Sequence, residues 1–205
     1  MKYIFLVLLF VCVVFAGCES NNQRSRFIDV EPGSVSGNIY TNASLGMSMQ
    51  IPTDYVVKPA PMEDAAPGAS EQAQRLKRQK RLFFICKEKF NCNNSLLGVL
   101  QDTSYARGAN TPEKYYKYLI ADQSVQHEKL KIKGHFKEGT TTLGGKEFYT
   151  LSVKREDSHG RFLKLEKDIY FHLNGSNLIQ ITLNAEDEKD RALLKKAVES
   201  IKFEE

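Results

Sequence analysis

The chain has 205 residues and a formal net charge of +4 at pH 7, from 29 Lys and Arg against 25 Asp and Glu. Hydrophobic residues make up 41% of it, slightly low but enough for one core and one domain. So mild a positive excess excludes the electrostatic footprint of a nucleic-acid-binding protein.

The chain opens with a charged residue, Lys2, followed by an almost wholly apolar run over residues 3–16 that ends in the small residues Ala16 and Gly17. That order is the grammar of a secretory signal. The run is shorter than the roughly 20 apolar residues of a comfortable membrane span. Cys18 follows at once, and Phe15-Ala16-Gly17-Cys18 resembles the lipobox of bacterial lipoproteins, with Phe15 where that family most often has Leu. The resemblance implies a thioether-linked diacylglycerol on Cys18, removal of residues 1–17, and a mature chain that begins at Cys18. The competing reading is an uncleaved signal anchor with an incidental cysteine. Acyl burial stabilises by ~0.8 kcal/mol per methylene, so two long chains would hold on the order of 20 kcal/mol and keep the protein at its membrane. Glu19 is not the Asp that resembles an inner-membrane retention signal, which leaves outer-membrane placement open in a two-membrane cell.

Residues 18–37 are mostly polar, interrupted by Phe27, Ile28 and Val30. Such a composition buries too little surface to order itself. As a flexible tether of ~18 residues it would reach roughly 20–25 Å. The alternative is that Phe27 and Ile28 already begin the fold. Residues 38–205 are read as one domain.

Leu45, Met47, Met49 and Ile51 alternate with small or polar residues, which predicts a strand with one buried face, stopped by Pro52. Pro59, Pro61, Pro67 and Gly68 mark a loop. Ala69, Ala73 and Leu76 lie at helical spacing, with Ser70 as a cap. That helix ends in the basic cluster Arg75, Lys77, Arg78, Lys80 and Arg81. The cluster reads either as a solvated face or as a contact for an anionic partner, a lipid headgroup or wall polymer.

The apolar runs over residues 82–86 and 96–100 predict two strands joined as a hairpin. Cys86 and Cys92 fall on opposite sides of its mouth. A disulfide closing so short a loop would stabilise by roughly 2 kcal/mol; two thiols are the alternative. The hairpin holds no histidine, so no metal site is expected there.

Thr111, Pro112 and Glu113 announce a helix: a cap, a proline at the first turn and an acid near the positive end. Tyr115, Tyr116, Leu119 and Ile120 form its apolar stripe, read as packing on a sheet. Leu130, Ile132, Gly134 and Phe136 alternate with Lys129, Lys131, Lys133 and His135, which predicts a strand with a cationic face. The lysines either discourage edge pairing or meet an anionic partner. Turns are predicted at Gly144-Gly145, at residues 157–160 and at Asn174-Gly175, the last a strong hairpin signal. Leu163, Leu165, Ile169, Phe171 and Leu173 alternate between two of these turns, with Lys167 the odd member and a candidate bulge. A closing helix carries Leu193, Leu194, Ala197, Val198 and Ile201 on one face and must cover a sheet. The pattern amounts to an α+β domain, an antiparallel meander flanked by helices.

Tyr40-Thr41-Asn42, Leu45-Gly46, Ile51-Pro52 and Tyr55 resemble the opening of the PsbP-like and DcrB-like proteins. The resemblance continues through Leu143-Gly144-Gly145, residues 178–182 and Ser200-Ile201-Lys202-Phe203, and covers about residues 38–203. That family typically has Trp where Tyr55 stands, and this chain has no Trp. The resemblance implies an antiparallel sheet between helices. It implies no activity, since relatives include accessory proteins of photosystem II, a Ran-binding factor and bacterial envelope lipoproteins.

No catalytic grouping stands out. His159 beside Asp157 and Ser158 in one turn cannot reach relay geometry, and no phosphate-cradling Gly-rich loop is present. Glu166 and Asp168 share a strand face; paired carboxylates can do glycosidic chemistry, but beside Lys164 they read as solvated ion pairs. The expectation is a membrane-tethered envelope protein, non-enzymatic and without metal or cofactor, that binds an envelope protein or a small ligand. The alternatives are an envelope-polymer hydrolase and a structural protein whose basic faces bind anionic polymer.

Overall fold

Alternation of apolar and polar residues sets most of the architecture. The computed structural model describes residues 30, 31, 33–58, 79–87, 92–103, 106, 108–175 and 177–204. In chain order these give β1 (Ser34–Ser36), β2 (Ile39–Asn42), a 3-10 turn (Ala43–Leu45), β3 (Met47–Gln50), β4 (Tyr55–Lys58), β5 (Gln79–Lys87), β6 (Ser95–Asp102), α1 (Pro112–Leu130), β7 (Lys133–Leu143), β8 (Lys146–Glu156), β9 (Glu166–Asn174), β10 (Asn177–Ala185), α2 (Glu188–Glu199) and β11 (Lys202–Phe203).

Two antiparallel sheets form. The larger runs β4-β5-β6-β10-β9-β8-β7, and the smaller runs β1-β2-β3-β11. One face of the large sheet, with Leu151, Val153, Ile169, Phe171 and Leu178, packs against Tyr115, Tyr116 and Leu119 of α1. The other face, with Phe148, Tyr170, Ile181 and Leu183, packs against Leu194, Ala197 and Val198 of α2 and against Tyr40, Met47 and Met49 of the small sheet. The fold is therefore α+β in three layers, with one apolar core on each side of the large sheet.

Local signals place the ends of most elements. Thr111 caps α1 by accepting a hydrogen bond from Lys114 N, with Pro112 at the first turn. Asp187 caps α2 by accepting from Asp190 N at 2.8 Å. Gly144 and Gly145 take positive φ of 53° and 79° to turn β7 into β8, and β9 meets β10 at Asn174↔Asn177.

Three expectations are corrected. The tether does not extend to residue 37: Val30 is only 5% exposed and belongs to the core on the α2 side, and β1 pairs with β2. The strand expected from Lys129 onward is helix up to Leu130, and β7 starts at Lys133. The helical spacing persists because Gln123 and His127 extend the buried stripe of Tyr115, Tyr116 and Leu119; their polarity hides it from an apolar reading. The helix ends when Lys131 turns left-handed at φ 54°, with Lys131 N donating to Glu128 O and Ile132 N to His127 O. That pairing is a Schellman ending built without glycine. Finally, Lys167 is no bulge, since β8 and β9 keep register through Val153↔Lys167.

Candidate functional site

Of the residues singled out for an anionic partner, Lys80, Arg81, Lys129, Lys131 and Lys133 are among the described residues. Cys18, Arg75, Lys77, Arg78 and the helix expected around them lie outside the described residues. Lys80 and Arg81 stand on strand β5 rather than at a helix end, with the Arg81 guanidinium 5.9 Å above the Phe84 ring. Lys129 is in the last turn of α1, Lys131 is its cap and Lys133 begins β7. All three are exposed, but they share no strand face.

Cys86 and Cys92 do meet. Their sulfurs lie 3.1 Å apart as free thiols, Cys86 buried and Cys92 exposed. Lys58 Nζ reaches Cys92 Sγ at 3.7 Å. Burial pushes the Cys86 thiol up, and the neighbouring Cys92 adds to it.

On the α2 face, acids meet bases. Arg191 of α2 grips Asp168 of β9 through Nε at 3.1 Å and Nη2 at 2.9 Å, and its Nη1 binds Glu166. Ser152 donates to Asp168 at 2.6 Å, and Lys154 pairs with Glu166 at 3.0 Å. The two carboxylates read from sequence as solvated partners of Lys164 are instead clamped by an arginine from a distant helix, with Asp168 buried. Nearby, the buried Asp190 receives both Lys87 Nζ at 2.7 Å and Asn94 Nδ2 at 2.6 Å. The Tyr55 hydroxyl is buried beside that carboxylate, and both burial and the charge push it up.

Burial pushes the Asp190 carboxyl up, but the Lys87 ammonium and the site's hydrogen bonds outweigh it and hold the group below the usual carboxylate range. The unfolded group titrates near ~3.9, so on acidification the unfolded state takes up protons first. This contribution to stability is complete above the unfolded value and is lost as pH falls through the folded one. Asp157, held at about 2 mainly by the Arg161 N–H, acts in the same direction. The urea midpoint is expected to be flat above about pH 5 and to fall below about pH 4. Asp190→Asn should lower the plateau and flatten that fall; identical slopes in both proteins would show that the pair is not linked to folding.

The α1 face holds a different grouping, which the sequence marked only by the misfit of Lys167. Lys167 points from β9 toward α1, where its Nζ donates to Gln123 Oε1 at 3.0 Å. Arg155 of β8 donates from Nη2 to Leu165 O at 3.0 Å, and its buried Nε has no hydrogen-bond partner among the described residues. His127 of α1 is 5% exposed, stacks on Phe136 at 6.0 Å, and its Nδ1 also lacks a partner among the described residues. Gly134, opposite Arg155 in the β7–β8 ladder, admits this imidazole: a Cβ there would lie 2.4 Å from His127 Nδ1. Burial first, then the positive charge of Arg155, pulls the Lys167 ammonium down, opposed by Asp122. Burial, Arg155 and Lys167 pull His127 down, which favours neutral imidazole.

Among the described residues, no group of three or more His, Cys, Asp or Glu is placed to hold a metal ion, and no helix is long and apolar enough to cross a membrane. No protein-family model and no curated protein sequence matches the chain. Among solved structures it is similar to the solution structure of cyanobacterial PsbP (CyanoP) from Synechocystis sp. PCC 6803. That likeness has a TM-score of 0.54 at 12% identity and covers 84% of this chain and 98% of that one. A crystal structure from Bacteroides thetaiotaomicron VPI-5482 aligns with a TM-score of 0.43 at 8% identity over 83% of this chain, which spans 50% of that longer chain. The fold shared with CyanoP is the PsbP-like α+β fold, as the sequence resemblance implied.

Proposed function

We propose that this protein is a lipid-anchored cell-envelope lipoprotein whose PsbP-like domain works as a non-catalytic binding or accessory module. The observation that carries the reading is the fate of the carboxylates. Glu166 and Asp168, the pair available for hydrolytic chemistry, are neutralised by Arg191 as part of the fold, so they serve packing between β9 and α2. The stretch Phe15-Ala16-Gly17-Cys18 supports the anchor. An oxidising envelope would join Cys86 and Cys92, whose sulfurs already face each other.

Cys18→Ser is expected to abolish incorporation of radiolabelled palmitate and to release the protein from the membrane fraction. Unchanged labelling would overturn the anchor. For the binding role, cross-linking in cells should capture a specific partner, or a small-ligand screen should raise the melting temperature. A blank in both would count against it.

A further inference from the structure

We propose that Arg155, Lys167 and the C-terminal half of α1 form a binding site for a small oxyanion, a phosphate or carboxylate group, seated between the guanidinium and the ammonium. The first ground is missing countercharge. Among the described residues neither Arg155 nor Lys167 makes an ion pair, whereas their neighbours across the sheet, Asp168 and Glu166, are matched by Arg191 and Lys154. Two half-buried cations repel one another and lose hydration, and such a pair is costly unless an anion completes it.

The second ground is unspent hydrogen-bonding capacity. The Arg155 Nε–H is buried without an acceptor among the described residues. A guanidinium offers five donors in a planar fork suited to carboxylate or phosphate, and only Nη2 is engaged, on Leu165 O. Lys167 has three donors and one is used, on Gln123. A third ground is the wall. His127 is almost wholly buried with Nδ1 unpartnered, pressed against Gly134 where any side chain would collide. The imidazole thus backs the cations and shields them from water, which strengthens their hold on a charge. Asp122 is the acid that bears on Lys167. It is exposed and is occupied by the side-chain amides of Gln126 at 3.1 Å and Gln123 at 3.4 Å.

This inference gives the proposed binding role a ligand class and is independent of the anchor. Palmitate labelling bears on Cys18 alone, and the following test bears on this site alone. The full-length protein in detergent is titrated with inorganic phosphate against chloride at matched ionic strength, following the melting temperature. Phosphate should raise it saturably in the wild type. Lys167→Met keeps the long apolar stem and removes the charge. It should melt higher than wild type in chloride, because the repulsion is relieved, and should bind phosphate at least about tenfold more weakly, the loss of one charge-assisted contact. Arg155→Met should behave likewise, and Lys117→Gln, an exposed charge in the first half of the same helix, should respond as wild type does. No phosphate effect, or an equal effect in wild type and Lys167→Met, overturns the site.

Discussion

Replacing Arg191 by methionine is expected to destabilise the domain by roughly 3–5 kcal/mol, read as a lowered urea midpoint at unchanged slope. The size follows from what the arginine leaves behind. Asp168 is 6% exposed, and among the described residues it keeps, without Arg191, only the Ser152 hydroxyl. Glu166 is better placed, since Lys154 stays at 3.0 Å, so Asp168 should dominate the cost. A buried carboxylate stripped of its cation loses far more than the pair contributed in net terms, because desolvation is no longer offset. The companion variant tests that cause. Arg191→Met combined with Asp168→Leu removes both charges and should recover most of the loss, as apolar replacements of buried pairs commonly do. A loss below about 1 kcal/mol in the single variant would mean that the network behaves as a surface ion pair.

The contrast between the two faces of β9 is the feature of this fold that bears most on function. Successive residues of a strand point to opposite faces. Glu166 and Asp168 therefore meet α2, while Lys167 between them meets α1. The α2 face supplies Arg191 and closes the electrostatic account within the chain. The α1 face supplies Gln123, a neutral acceptor, and sets a second cation, Arg155, nearby. Local sequence shows the alternation of charge but not the difference in its outcome. The partners come from residue 191 on one side and residue 123 on the other, and nothing in the chain near residue 167 announces either.

The same division separates what could be read from sequence and what could not. The cap at Thr111, the turn at Gly144-Gly145 and the strands beside it depend on neighbouring residues, and the structure follows them; the hairpin signalled by Asn174-Gly175 forms with Asn174 still paired in β9, which begins at Glu166 rather than at Leu163. The end of α1 was illegible because Lys131 occupies the left-handed position where glycine is usual, and because alternating lysines beyond it imitate a strand. The pairing of β6 with β10, from Ser95↔Asn184 to Asp102↔Asn177, joins segments more than seventy residues apart and leaves no local mark. The small sheet was half legible: β3 was expected, but its partner β11 is two residues at the far end of the chain. Of the proposed oxyanion site, only Lys167 showed, as an interruption in an apolar alternation.

Gly98→Ala is expected to destabilise the domain by roughly 3 kcal/mol, although adding a methyl to a strand glycine ordinarily stabilises it by about 0.5–1 kcal/mol. Gly98 lies directly opposite Phe83 in the β5–β6 ladder, and its bare Cα is covered by that ring. A Cβ there would stand 2.4 Å from Phe83 Cε1 and Cζ. The ring has little freedom to retreat. Phe83 is 2% exposed and meets Tyr40 edge-on at 5.1 Å, while the Tyr40 hydroxyl donates to Leu82 O at 2.9 Å. Displacing the ring therefore disturbs the contact that fastens the small sheet to the large one. Phe83→Leu in the Gly98→Ala background should restore part of the loss, because the smaller side chain makes room for the methyl, whereas Phe83→Leu alone should destabilise by opening a gap. The sign of the first measurement decides between two pictures of this core. A destabilised Gly98→Ala means that the two sheets are locked through a packed aromatic contact, and a stabilised one would mean that Phe83 can swing away and that the sheets meet loosely.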